Sequence, residues 1–414
     1  GGVVRLRIVE ARTASVSVVG ARFHSESNIK ASVPGLTVAQ SPNTRKIAES
    51  LDAANENPSK QTRLSFKAGA KAGDIDATLQ VNDEKPWRVF ATLDNTGTRE
   101  TGRLRLGLGY QHANVFDLDH VFTARYITAP EKLNDVSIYG LSYRIPLYSL
   151  GDSVEFFGGY SDVNSGIVAD VFNVSGKGTV LGARYNQRLA KRGDYKSGLV
   201  YGIDYRAYKN FIDFSGLPIG NDVTVRPISL GYFGRLESAK ANGGFFLTLI
   251  RNIPGGSNGS DAAFAAARAG ASNDYSLLRY GFDVSRTVFG DWQLQARGEG
   301  QYAREPLVPG EQFGLGGINS VRGFREREIS DDRGFYGSIE LGTPDFSKYI
   351  GLGSGSARAA VFYDFGATSR VEACFRAEKE SGDAIMAIAA RLARGDELPG
   401  IGHPLYPDGD PRAV

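Results

Sequence analysis

Long apolar runs are missing from this sequence. The most apolar stretches, such as Phe245 to Ile250, are short, whereas a membrane-crossing helix needs roughly 18 or more consecutive apolar residues. That argues against a helical membrane protein. Cysteine, methionine and tryptophan are also scarce, with 1 Cys, 1 Met and 2 Trp in 414 residues. Lone Cys374 rules out an internal disulfide framework and any multi-cysteine metal site, and it leaves the redox compartment unread. Charge of one sign is lacking as well. Lys and Arg number 48 against 46 Asp and Glu, a formal net charge of +2 with the signs interspersed. This balance makes no general electrostatic case for nucleic acid or an anionic membrane surface. The first residues, Gly1-Gly2-Val3-Val4, contain no initiator Met, basic segment or apolar signal core.

What is present is turn and ring chemistry. The 52 Gly, 23 Phe and 19 Tyr describe many strands with tight turns and aromatic surfaces rather than a helical enzyme. The length would suit two or three soluble domains, yet a single large all-β unit absorbs it as well. Residues 1–86 read as a small α/β module. Val3 to Val9 and Ala14 to Val19 are strand-like, a helix is predicted from Thr44 to Ala54, and Arg63 to Lys67 and Asp76 to Val81 are further strands. Pro58, Gly69, Gly73 and Pro86 punctuate the module, and Pro86 is its boundary.

From Trp87 the pattern becomes period-two alternation, segment after segment. Leu104, Leu106, Leu108 and Tyr110 oppose Arg103, Arg105, Gly107, Gly109 and Gln111; Leu199, Tyr201, Ile203 and Tyr205 oppose Gly202, Asp204 and Arg206. A soluble sheet with one wet face alternates in the same way. Three features favour a membrane barrel instead. The segments run about 9 to 12 residues, the length a tilted strand needs to cross hydrocarbon, against about 5 or 6 in soluble sheets. Their apolar faces end in Tyr, Phe or Trp, as an aromatic girdle requires, and their polar faces carry Arg, Glu, Asp and Gln, which suit a wet lumen. About thirteen such segments fall between Trp87 and Gly366, although single-chain bacterial barrels close with an even number. An unpaired edge in lipid is costly, so further strands are expected beyond the C-terminal end.

The glycine-rich stretch Gly314-Leu315-Gly316-Gly317-Ile318-Asn319-Ser320-Val321-Arg322-Gly323-Phe324 is not a phosphate loop. It lacks a following Lys-Ser/Thr pair and a helix pattern. A long loop held in one geometry, with Arg322 offering a forked cation to a buried carboxylate, is the better reading.

Here the chain resembles the two-partner secretion transporters of the ShlB/FhaC/HecB haemolysin-secretion type, within the superfamily that includes the BamA insertase. Their hallmark is a Val-Arg-Gly-Tyr/Phe tip on a loop folded into the barrel lumen, and Val321-Arg322-Gly323-Phe324 matches it. Their second motif, Phe-x-Asp-x-Gly, matches Phe362-Tyr363-Asp364-Phe365-Gly366. The resemblance implies that Arg322 pairs with Asp364. Strand parity agrees, because Ala359, Val361, Tyr363 and Phe365 share one face and leave Phe362 and Asp364 on the other. It further implies an all-β membrane protein: a transmembrane antiparallel β-barrel (87–370, with an inward loop over 305–333), preceded by a POTRA module (1–86), the second of the family's two. The first POTRA module and the plug helix are absent here, so the N-terminus reads as truncated. The family barrel has sixteen strands, leaving about three unaccounted for.

The tail, 371–414, departs from this pattern. Val371 to Lys379 and Asp383 to Arg394 are helix-like, and Cys374 and Met386 both lie here. Leu398 to Arg412 resembles the catalytic-histidine segment of citrate synthases, in which His403 would match the oxaloacetate-binding histidine and Arg412 a carboxylate-binding arginine. The other catalytic residues of that fold are missing, and some forty residues cannot bury such a site. No activity is inferred from the tail.

The expected function is therefore not enzymatic and needs no cofactor. An outer-membrane pore, its POTRA module in the periplasm, would secrete a large unfolded exoprotein of haemolysin or adhesin type. Its other partners would be outer-membrane lipid, lipopolysaccharide and the barrel assembly machinery, with no nucleic acid. A BamA/TamA-like insertase would share the loop motif but carry more POTRA modules. A diffusion porin would show the alternation without the two motifs.

Overall fold

The computed structural model describes residues 10–371 apart from 98–100, 134–135, 163–166, 169–171, 174–176, 210–211, 215–216, 220–221, 239–240 and 354. Its N-terminal unit contains β1 (Arg12–Val19), α1 (Glu26–Ala31), α2 (Thr44–Ala54), β2 (Lys60–Ala68) and β3 (Asp74–Asp83). The sheet order is β1-β3-β2, with β1 parallel and β2 antiparallel to the central β3. Side-chain caps start both helices. The Ser25 hydroxyl accepts from the Asn28 N–H and the Asn43 side chain from the Lys46 N–H, each at 3.1 Å. Ile29, Val33 and Ile47 then close over Leu79 and Val81 to make the unit's apolar core.

Here α2 spans the residues predicted for it, while the strand read over Val3 to Val9 lies outside the described residues. Helix α1 is an addition to the sequence reading. Six residues make fewer than two turns and leave no visible 3.6-residue period. Its only local signals are the Ser25 cap and the Glu26–Lys30 ion pair, four residues apart.

Beyond Pro86 the alternating segments form one antiparallel sheet. Its strands are β4 (Trp87–Asp94), β5 (Arg105–Val115), β6 (His120–Thr128), β7 (Ile138–Leu147), β8 (Asp152–Ser161), β9 (Lys177–Arg188), β10 (Tyr195–Lys209), β11 (Pro227–Glu237), β12 (Ala241–Asn252), β13 (Ser276–Thr287), β14 (Gln293–Ala303), β15 (Arg333–Gly342) and β16 (Ala360–Ser369). Each pairs with its neighbours in sequence from β4 to β16, and the short strand Val223–Val225 adds a fourteenth member against β10. The thirteen long strands of the path span 8 to 15 residues. Among the described residues β4 and β16 are the two ends of the path and do not pair with each other.

The two faces of this sheet differ as the alternation requires. One carries an exposed apolar belt running strand to strand, with Leu108, Leu141, Leu181, Ile203 (60 % exposed), Leu230 and Leu247 among its members. In water a patch of that extent would drive aggregation, whereas a bilayer's hydrocarbon matches it. The other face buries polar side chains, including Asp204, Gln301 and Ser338.

The N-terminal unit is seated on the β5–β6 turn, whose Phe116, Asp117 and Asp119 all adopt positive φ. Lys60 on β2 donates to the Asp119 carboxylate and, at 3.1 Å, to Asn28 Oδ1. Tyr148 donates to the same carboxylate at 2.6 Å. Asn28 and Asn57 donate to the carbonyls of Asp117 and Ala113 at 2.8 and 2.7 Å. Glu56 bridges Arg144 and Arg188 at the rim. Burial pulls the Lys60 ammonium below its ordinary pKa while Asp119 opposes that pull. Burial would raise the Asp83 carboxyl. Hydrogen bonds from the Phe23 N–H, the His24 ring and the Arg22 and His24 N–H groups instead hold it below its ordinary range.

Candidate functional site

Between β14 and β15 the chain runs along the polar face of the sheet. Phe313–Leu315 and Ile329–Asp331 pair antiparallel, so this segment is itself a hairpin with two arms and a tip. The tip turns where only glycine fits. Gly316 has φ 109°, and a Cβ there would lie 2.4 Å from the Arg325 carbonyl oxygen.

At the tip Arg322 meets the sheet. Its Nε and Nη2 donate to the two oxygens of Asp364 at 2.7 and 2.8 Å, and its backbone N–H donates to Asp364 Oδ2 at 3.0 Å. Nη1 donates to Glu340 at 2.9 Å and Nη2 to Ser338 Oγ at 3.1 Å. The guanidinium also lies 3.4 Å from the centre of the Phe362 ring. A forked, bidentate ion pair stacked on an aromatic face is the geometry that arginine supplies and lysine does not.

Period two on β16 explains the spacing of its motif. Phe362, Asp364 and Gly366 fall on one face, toward the loop. Phe362 underlies the guanidinium and Asp364 takes its protons. Gly366 leaves room, since a Cβ there would come within 2.7 Å of Leu315 Cδ1 and 2.8 Å of the Phe335 carbonyl oxygen. The β15–β16 register sets Ser338 opposite Asp364 and Glu340 opposite Phe362, completing the cradle. Among Val321, Arg322, Gly323 and Phe324, it is Arg322 that bonds to β15 and β16. Val321 is half-buried, Gly323 sits at φ 92°, and the Phe324 ring is 59 % exposed.

Ser338 and Glu340 escape a motif search because they lie on a strand with no signature of its own. Parity along Arg333–Gly342 would have found them. Glu311 and Asp332, also buried with the loop, are discussed below. His403, Arg412 and both helix-like stretches of the tail, apart from Val371 itself, lie outside the described residues. Beside the loop the polar face opens into a recess of about 260 Å³ whose lining includes Arg184, Asp204, Arg206, Ser229, Thr248 and Arg279. Such charged walls suit water rather than a packed core.

An antiparallel sheet with an apolar outer belt, a polar inner face and a loop clamped to that face defines an outer-membrane β-barrel protein. The chain belongs to the haemolysin secretion/activation protein family ShlB/FhaC/HecB, whose sequence profile matches residues 73–389. It is 25 % identical over 356 residues to the outer membrane transporter CdiB of Dickeya dadantii, covering 82 % of this chain and 60 % of that protein. It is 24 % identical over 300 residues to the hemolysin transporter protein ShlB of Serratia marcescens, covering 70 % and 52 %. The chain therefore spans between half and two thirds of the length of these relatives. The solved structure of CdiB from Escherichia coli shares the fold, with a TM-score of 0.69 at 20 % identity over 86 % of this chain and 66 % of that one. These relatives are transporters, not enzymes.

Proposed function

We propose that this chain is the pore of a two-partner secretion system, exporting a large partner exoprotein of haemolysin or adhesin type across the outer membrane. Residues 1–86 act as a periplasmic POTRA module, 87–370 as the barrel, and the 305–333 loop regulates the lumen. The observation that carries this reading is the Arg322–Asp364 clasp, a buried carboxylate holding the tip of a long loop against the polar face. A segment held there obstructs the path through the barrel until the clasp opens.

Capture of the unfolded client is read from the small sheet. With the order β1-β3-β2 among the described residues, strand β2 is an edge; the Asn55 side chain occupies the N–H and carbonyl of Thr62, and the stretch from Leu64 to Ala68 offers backbone groups to an added client strand. Surrounding lipid, lipopolysaccharide and, during biogenesis, the barrel assembly machinery are the further partners this reading implies. The 371–414 tail, with its resemblance to citrate synthase, is given no part in it.

Replacing Arg322 by Ala tests the proposal. Secretion of the partner exoprotein should be lost while the barrel still inserts and keeps its heat-modifiable migration. Export at the parental rate by that variant would overturn the role given to the loop.

A further inference from the structure

The folded-back loop is held at its root as well as at its tip, and the two attachments differ in kind. Glu311, on the outgoing arm, has no exposed surface. Its carboxylate accepts both contacts of Arg206 Nη1, at 2.9 and 3.0 Å, and the Tyr208 hydroxyl at 2.6 Å, with Arg279 Nη2 3.8 Å away. Arg206 in turn bonds Asp204 at 2.6 Å, so the cation is shared between strand and loop.

Asp332, on the return arm, is equally buried. It accepts from both ends of the Arg268 guanidinium, from the Leu307 N–H at 2.9 Å and from the Val371 N–H at 2.7 Å. Arg268 closes the short helix α3 (Asp261–Ala267) in the β12–β13 connection, and its Nη1 also donates to the Leu307 carbonyl at 2.7 Å. One side chain outside the strands thus ties the two arms together. Gln301 on β14 repeats the tie, donating from one amide to the carbonyls of Glu311 and Asp332 at 2.9 and 3.1 Å. An apolar cluster that includes Tyr208, Phe264, Tyr275, Leu307 and Val308 lies at this root, where Glu311 and Asp332 have no exposed surface and Arg268 keeps 20 % of its side-chain surface.

The tip clasp is open on its Glu340 side: Arg322 and Glu340 keep 24 % and 31 % of their side-chain surface exposed, against 13 % for Arg206 and none for Glu311, while Asp364 itself is enclosed at 3 %. Removing one partner from a sealed, fully bonded charge pair leaves an uncompensated buried charge, whereas water can replace a partner at an exposed pair.

We propose that Glu311 and Arg268 are positioning residues, which hold the root of the loop so that Arg322 is delivered to Asp364 and only the tip swings. This rests on the reading of the loop given above. The test uses the full chain with Cys374→Ser and Ser320→Cys, since Ser320 is a buried tip residue at 6 % exposure. The readout is the rate at which a hydrophilic maleimide labels that cysteine in the folded, heat-modifiable barrel. Glu311→Gln and Arg268→Gln should each speed labelling at least tenfold, approaching the rate with Arg322→Ala, and Arg268→Lys should recover part of the protection. Arg268 lies outside the strands, so it decides the matter alone if the Glu311 variant does not fold. Parental labelling in the root variants, with fast labelling in Arg322→Ala, overturns the role of the root only. Parental labelling in Arg322→Ala as well overturns the tip clasp and, with it, both readings.

Discussion

Lys60 on β2 and Asp119 in the β5–β6 turn are hydrogen-bonded to each other with no side-chain surface left to solvent on either partner. They join two parts of the chain that share no sheet. The pair makes the orientation of the small unit on the barrel a matter of buried electrostatics rather than of linker length. Three residues, Glu84 to Pro86, separate β3 from β4.

Lys60→Met should loosen that joint by about 3–5 kcal/mol, because it strands a buried carboxylate. Protease cleavage near Pro86 in the folded protein measures the effect. The double variant Lys60→Met, Asp119→Asn should recover part of the protection, since a neutral amide removes the stranded charge and tolerates the positive φ of position 119. Equal sensitivity in single and double variants would contradict the account.

Asp83 makes the N-terminal unit beside that joint sensitive to acid. Its folded-state pKa is held below the unfolded value by the hydrogen bonds from Phe23, His24 and Arg22. The unfolded chain therefore binds more protons as pH drops through the carboxylate range, and the stabilisation present above the unfolded pKa is lost on further acidification. With Trp292 replaced by Phe, fluorescence of Trp87, four residues away in sequence, should report earlier denaturant unfolding at pH 3 than at pH 6. Asp83→Asn should flatten that slope; an unchanged slope would remove Asp83 from the explanation.

Leu247 sits at the middle of β12 on the apolar face, 45 % exposed. Leu247→Arg should weaken insertion into lipid vesicles by about 2–4 kcal/mol, the penalty for a cation near the bilayer midplane. Thr248→Asn, one residue on and facing the polar recess, should insert normally. Equal effects from the two would contradict the assignment of faces.

Gly366→Ala tests the fit of the loop to β16. The added methyl meets Leu315 and a backbone oxygen that cannot rotate away, a strain of about 1–3 kcal/mol. Tryptic cleavage at Arg325 should become faster while the barrel remains folded. No change in cleavage would mean that Leu315 relaxes without moving the tip.

How much of this was legible in the chain alone depended on whether the signal was periodic. The strand and face assignments came from alternation, because successive Cβ atoms on a strand point to opposite sides whatever the surroundings. Thus Leu199, Tyr201 and Ile203 could be set against Asp204 and Arg206 before any pairing was known. Helix α2 was legible for the same reason, while α1, at six residues, was too short to carry a period.

Arg322 and Asp364 stood out as candidates through motifs and parity, since their residue types and positions are local properties. Two further neighbours in the clasp were decided by pairing. Register placed Ser338 and Glu340 beside the arginine, and register is a relation between strands that neither strand states by itself. Glu311, Asp332 and Arg268 lie further still from any local signal. Each is an ordinary charged residue in an irregular segment, and only the fold, by bringing the β12–β13 connection over both arms of the loop, takes them out of water and makes their pairing matter. The sequence by itself determined which face of each strand meets lipid, through the two-residue period of the backbone. Tertiary structure decided which charges are buried together, because burial depends on what packs above a residue and not on what precedes it.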